Sequence, residues 1–455
     1  MTITKANARP SKDFFVSMLT RDISLEDCIL DLIDNSIDAA WKASGERPRT
    51  LVVDSALADY EVTIAMSEDA FTIEDNCTGI TLDDAANYAF TFGRARGDDP
   101  DDYSVGVYGI GMKRAIFKLG SEIEIHSTYA EDDVLTAFKV PIDVPEWLRS
   151  DLDPADGSDF APSWDFDIEE DDPSPHVGVR IHVSQLHPQT QALFGDESYE
   201  RSLRRILARD YMLPLMRGLR IVLNGTLVEG STVELKENES FAPMRVKYDD
   251  DGVEIEIVAG MLFQPPDDNE PDERKDTLSG WYVACNGRIM LAADRTALTG
   301  WGDLTPMWHR QYAGFIGFVF FSAENPLLLP MTTTKRNVDS SSAVYRRARS
   351  RMYEPTRAWI DYTNARKNDL QGLKQLETST TGTSIANVPE RPAVSLPTVT
   401  KKAATEPVAN INYAVPRKQL RALAAAFGDK NMTYRDVGSQ SFKYAYDELV
   451  DEEDS

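Results

Sequence analysis

The 455-residue sequence has no apolar run approaching the roughly 20 residues that a bilayer-spanning helix needs. Its opening, MTITKANARPSKDFF, also lacks the apolar core of a signal peptide, so no membrane association and a cytoplasmic location are expected. Cysteine is scarce. Cys28, Cys77 and Cys285 lie far apart and without CxxC spacing, which argues against a disulfide framework or a zinc site and for reduced structural thiols. Positive charge is in deficit as well: 48 Lys and Arg stand against 75 Asp and Glu, a net −27. A surface of that sign repels phosphate, which excludes a protein whose whole surface attracts nucleic acid.

What is present is ordinary globular material, 42% hydrophobic and 27% charged, long enough for two or three domains with real cores. The stretch 25–43 reads as a helix, and LVVD, YEVTIAM and FTIED then read as strands. A second helix is expected to begin near Met112 and to be followed by the strand-like SEIEIHSTYA, VLTAFKVPI and VGVRIHVSQL. After a helical segment around residues 200–216, the runs LRIVLNGTLV, VEIEIVAGML, GWYVACNGRIML and FIGFVFFSA read as the strands of a second α/β domain. The expected divisions are a first domain at 1–195, with a lid at 93–108 and an exposed acidic insertion at 151–176, and a second domain at 196–345. A basic helix at 346–376, a Ser/Thr/Pro-rich linker at 377–412 and a small helical tail at 413–455 complete the chain.

Four segments carry polar residues in arrangements that suit chemistry. Wound at about 100° per residue, the first helix gathers Asp27, Asp31, Asp34, Asn35 and Asp38 on an arc of roughly 100°, while apolar residues fill the rest of its circumference. Acids so crowded, on a helix buried on most sides, need a cation or hydrogen-bond donors beside them. Magnesium suits that need; Asn35 can supply it a hard oxygen, and Asp31, one turn earlier, can accept a proton from a water. In FTIEDNCTGI, Asp75 stands at a strand end, able to accept from an exocyclic amine, and Gly79 lets backbone approach a flat ring. In GVYGIGMK, Gly106, Val107, Tyr108, Gly109, Ile110, Gly111 and Met112 lead into a helix whose free N–H groups make an anion site, with Lys113 adding charge. The upstream FGRARGDDPDDYSV suits a lid. TTTKRNVD offers Lys335 from a loop at the end of the second domain, which matters only if that domain folds back on the first.

Taken in order, DLIDNSIDAA, EDNCTGI and GVYGIGMK resemble the three nucleotide-binding motifs of the GHKL superfamily, which includes gyrase B, the large heat-shock chaperone, MutL and sensor histidine kinases. The DNSIDA form and the Tyr-containing glycine motif are most similar to MORC-like and bacterial chaperone-like ATPases. The resemblance covers about residues 10–190 and, less closely, 200–345. It implies a Bergerat-type α/β sandwich followed by a smaller α/β transducer-like domain and a helical C-terminal region. It also implies ATP and Mg2+ as ligands, with Asn35 holding magnesium, Asp75 the adenine amine, the glycine loop and Lys113 the phosphates, and Lys335 reaching the γ-phosphate. Three departures stand out: Asp31 replaces the family's glutamate base, Cys77 replaces the first glycine of DxGxG, and Gly178-Val179 stands where Gly-Thr is usual.

The expected function is an ATPase acting as an ATP-gated homodimeric clamp, and relatives of this domain order suggest phage defence or DNA transactions. The alternative is a nucleotide-sensing scaffold with little hydrolysis that recruits a protein partner through its C-terminal region. A histidine kinase needs a His followed closely by an acid, a pattern that His126, His176, His182, His187 and His309 do not provide. DNA is disfavoured by the global charge and would have to use the basic run at 345–374 or a clamp interior.

Overall fold

The computed structural model describes residues 10–48, 51–93, 101–106, 109–149, 164–265, 278–332, 334–398, 411–412, 414–430 and 432–450. Residues 1–399 form one compact unit and 400–455 a second.

The first unit opens with α1 (Lys12–Arg21) and α2 (Leu25–Ser44). Ser24 caps α2 by accepting from the Asp27 N–H, and Gly45 ends it in the left-handed conformation, φ 64°. There follow β1 (Glu61–Met66), β2 (Phe71–Asp75), the short α3 (Leu82–Asp84) leading into a π-helical segment at Ala85–Ala89, α4 (Gly111–Leu119), β3 (Gly120–Glu131), β4 (Val134–Asp143), α5 (Val144–Arg149), β5 (Glu169–Asp171) and β6 (Gly178–Leu186). Next come α6 (Pro188–Phe194), α7 (Glu197–Asp210), α8 (Met212–Met216), β7 (Arg220–Leu223) and β8 (Thr226–Leu227). The strands form one eight-stranded sheet in the order β5-β4-β3-β6-β2-β1-β7-β8. The apolar sides of α2 and α4 share a core with it, through Ile29, Ile33, Ala115 and Ile116 against Ile64, Ile73, Ile125 and Val183.

A five-stranded sheet, β10-β11-β14-β12-β13, follows from β10 (Met244–Asp250), β11 (Val253–Met261), β12 (Gly280–Cys285), β13 (Arg288–Asp294) and β14 (Phe315–Ser322). The long helix α9 (Ala343–Arg366) buries Tyr345, Met352 and Trp359 with Ile255, Trp281 and Phe321 on one face. Met212 and Leu213 of α8 join Val258, Phe318 and Phe320 on the other. Covered on both sides, β12 and β14 are apolar almost throughout, which explains their continuous rather than alternating pattern. After α10 (Leu370–Thr378), β15 (Thr381–Ser384) pairs antiparallel with β9 (Glu234–Glu237).

Several sequence expectations are corrected. LVVD is not a strand; Leu51 is a buried plug in the second core. Helix α7 and the hairpin β7–β8 pack with the first domain, because β7 pairs in parallel with β1 and Leu203, Leu207 and Tyr211 complete the first core, whereas α8 lies on the second sheet. GWYVACNGRIML is a hairpin whose turn has Asn286 at φ 42° and Gly287 at φ 85°, the left-handed pair that Asn-Gly favours. The basic run is two helices, divided where Asp369 caps α10. Residues 381–396 of the expected linker are ordered, since Ile385 and Val388 are buried and Arg391 and Ser395 bridge to Arg245 and Ala242. Residues 164–171 of the acidic insertion also pack back: Trp164 and Phe166 lie in an aromatic cluster with Phe15, Phe90, Phe92 and Trp147, and β5 pairs with β4. Residues 151–163 of that insertion and 94–100 of the lid lie outside the described residues.

The second unit contains two helices, α11 (Arg417–Ala426) and α12 (Tyr434–Leu449), in line with the expected small helical tail. Among the described residues no helix is long and apolar enough to cross a membrane.

Candidate functional site

The acidic arc of α2 lies against the start of α4, through Gly111 and Arg114, and against Arg288 and Lys335 of the second domain. Its members do different work. Asn35 is exposed, and a Cβ at Gly106 would stand 3.5 Å from its Oδ1 and 3.2 Å from Asp38 Oδ2. Glycine therefore leaves room over these oxygens, and Asp38 uses its own to accept from the backbone N–H groups of Val105 and Gly106 at 2.8–3.0 Å. Burial pushes the Asp38 carboxyl up to about 7, against the pull of those N–H groups.

Asp31 and Asp34 are buried, and the chain supplies their counter-charges. Arg114 of α4 donates to Asp31 Oδ2 through Nε at 2.8 Å and Nη2 at 2.6 Å. Lys335 Nζ donates to Asp34 Oδ2 at 2.8 Å and lies 3.4 Å from Asp31 Oδ1. Asp34 Oδ1 accepts from the Tyr211 hydroxyl at 2.9 Å and from Arg288 Nε at 3.2 Å. Arg288 also reaches Asp210 at 3.1 Å, and Arg336 joins Asp210 to Asp27. Desolvation alone would raise Asp34, but Lys335, Arg288 and Tyr211 outweigh it and hold the carboxyl below its ordinary range. The same balance raises Lys335, since Asp34 and Asp31 overcome the burial that favours the neutral amine.

Lys335 reaches Asp34 from 301 residues away in sequence. Its side chain is buried and its backbone adopts φ 53°, a conformation that non-glycine residues seldom take and that concentrates at functional sites. The condition set by the sequence is met: the second domain does fold back on the first.

The glycine loop is described in part, since Val107 and Tyr108 lie outside the described residues. Gly109 has φ 64°, a left-handed turn suited to glycine, and α4 begins after Ile110 with no side-chain cap on its N–H groups. Gly111 packs on Asp31: a Cβ there would stand 3.3 Å from the carboxyl carbon. Met112 is buried in the first core. Lys113 sends Nζ to the Ala89 carbonyl at 3.0 Å, on another side of α4 from Asp31. Helical winding gives the reason, because Lys113 stands about 200° round α4 from Gly111 whereas Arg114, at about 300°, returns to the Asp31 side. Arg114 is one of the residues that sequence reading missed, and its three-residue spacing from Gly111 is the signal that could have found it.

Asp75, at the end of β2, is buried and accepts from Ser36 Oγ at 2.7 Å and the Cys77 N–H at 3.0 Å. Burial raises its carboxyl in spite of these donors. Gly79 takes φ 69°, and a Cβ there would lie 2.1 Å from the Thr128 carbonyl oxygen, so the protein's own β3 already demands glycine at this position. Gly178 has the same relation to Asp75, whose carbonyl oxygen would meet a Cβ at 1.9 Å. Cys77 donates to the Ser36 carbonyl, and Cys28, Cys77 and Cys285 are all buried free thiols; burial pushes Cys28 up to about 12.

The returning end of the lid is tied to the second domain. Val105 sits in its core, the Tyr103 N–H donates to the Glu324 carbonyl at 2.8 Å, and Asn286 at the hairpin tip donates to the Ser104 carbonyl at 3.3 Å.

No curated protein matches the chain. A family model described as histidine kinase-, DNA gyrase B-, and HSP90-like ATPase matches residues 23–154, a span holding α2, Asp75, Gly79 and the glycine loop but neither Arg288 nor Lys335. In that span the chain is similar to ATPase domains of the GHKL superfamily, which supports ATP binding in general.

Proposed function

We propose that the chain binds Mg-ATP in the cleft beside α2 and hydrolyses it, with the second domain reporting the state of the terminal phosphate. The observation that carries this reading is Lys335, a buried cation held by a left-handed backbone over Asp31 and Asp34 at the foot of the glycine loop. The donor set fits the ligands. Asn35, an open amide oxygen beside the space kept by Gly106, would hold magnesium, which would supply charge neutralisation to the phosphates. The loop 106–112 would take the phosphates and Asp75 the adenine amine. Asp31 would accept the proton of the attacking water, and Lys335 would exchange a carboxylate for a phosphate oxygen. Closure around ATP would make a homodimeric clamp, detectable as a size increase with a non-hydrolysable analogue. Assignment to MORC-like or chaperone-like ATPases, and to phage defence, rests on the motif resemblance.

A specific observation favours a second reading, a nucleotide-sensing scaffold with little hydrolysis: both Asp31 oxygens stand beside cations, Arg114 on Oδ2 and Lys335 near Oδ1. Steady-state ATP turnover of wild type and Asp31→Asn separates the two. Hydrolysis predicts a wild-type rate at least about tenfold above the variant; equal, background rates in both would leave only the scaffold.

A further inference from the structure

We propose that Arg114 is a positioning residue for Asp31, anchoring one carboxylate oxygen so that the other alone can take the proton of the attacking water. The inference rests on the hydrolytic reading above and adds a residue to it. Two N–H groups of a nearly buried guanidinium converge on Asp31 Oδ2 at 2.8 and 2.6 Å, which fixes the rotation of the carboxyl. Gly111, one turn earlier on α4, packs against the carboxyl carbon and closes that side. Oδ1 is left facing Lys335, at 3.4 Å. The two cations are not equivalent. Arg114 grows from the same helix that the glycine loop opens, so it moves with that loop, whereas Lys335 comes from the second domain on a loop and has Asp34 as its nearer partner.

An arriving triphosphate competes with the carboxylates for Lys335, and when Lys335 turns towards it Oδ1 is released while Oδ2 stays anchored. Without Arg114, Lys335 would be the remaining counter-ion of Asp31, and Oδ1 would stay occupied. An aspartate, one methylene shorter than the usual glutamate, depends on such an anchor because its reach leaves little tolerance for rotation. The anchor acts on the chemical step and leaves nucleotide binding to Asn35, Asp75 and the loop.

The test is steady-state ATP turnover and fluorescent ATP-analogue affinity of the full chain for wild type, Arg114→Met, Arg114→Lys, Asp31→Asn and the Arg114→Met/Asp31→Asn double variant. Arg114→Met should lower kcat at least about tenfold with KM and analogue affinity within about threefold. Arg114→Lys should recover part of the loss. In the Asp31→Asn background Arg114→Met should cost nothing further, because the residue acts through a group already removed. A loss of equal size in that background, an unchanged kcat or a raised one overturns the proposal while leaving ATP hydrolysis standing. If Arg114→Met does not fold, Arg114→Lys carries the test by the same comparison. Wild-type turnover equal to that of Asp31→Asn removes the hydrolytic reading and this proposal together.

Discussion

Lys335 neutralises two carboxylates in a place where water cannot, and that sets its energetic weight. Replacing it by Met leaves Asp31 and Asp34 buried with one counter-ion fewer each, and breaking a buried pair in this way costs about 3–5 kcal/mol. Urea unfolding of the ligand-free Lys335→Met protein should show that loss, and adding Asp34→Asn should return part of it. The pH dependence follows in sign. The folded state holds Asp34 below its ordinary 3.8, so its contribution is present above that pH and fades as pH falls through the depressed value. Lys335 is raised above 10.5, so its contribution is present below that pH and fades as pH rises through the elevated value. Asp34→Asn should therefore flatten the acid side of the stability profile; an unchanged slope between pH 5 and pH 3 would contradict the assignment. At this scale Asp31, Asn35, Asp75 and Lys335 were legible because their motifs are local. Arg114, Arg288, Tyr211 and Asp210 were not, because only the fold brings α4, the C-terminal end of α7 and β13 to the acids of α2.

Among the elements, periodicity located α2, β3 and β6 well, since each buries a face in the first core, and a continuous apolar run located β14. It failed where a short apolar run serves as a plug, as at Leu51, or where composition concealed pairing, as at 381–396. That segment has few large residues, but it places Ile385 and Val388 in the second core and lets Arg245 donate to the carbonyls of Ala386 and Val388. Burying each of these two side chains contributes about 1.5–3 kcal/mol. A chain ending at Thr378 should accordingly unfold at lower urea than one ending at Thr398. Coincident transitions would mean that β15 and the following strap add nothing to the sheet they lie on. The Asn286 hairpin shows the same limit: Asn-Gly announces a turn, but its contact with Ser104, which ties the lid to the second domain, is tertiary.

Over the whole molecule, charge is organised by pairing as well as by net sign. Arg347 is matched by Asp250 and Asp251, Arg349 by Asp303, Arg357 by Asp361 and Arg366 by Glu377, so four of the eight cations at 345–374 already have an acid partner. With the net −27 this predicts weak DNA retention at physiological salt, and neutralising Arg346, Arg347 and Arg349 should change it little. Tight retention with a steep salt dependence, lost in that triple variant, would contradict the account. The acids of α2 obey the same rule, being compensated mainly by the chain's own cations, with Asn35 left exposed.

The proposed function places Mg-ATP at this exposed amide. Calorimetric titration of wild type and Asn35→Ala with a non-hydrolysable ATP analogue and Mg2+ tests it most directly. Saturable binding by wild type, weakened at least about tenfold by Asn35→Ala, is the predicted result. No binding by wild type, or equal binding by both, would contradict it.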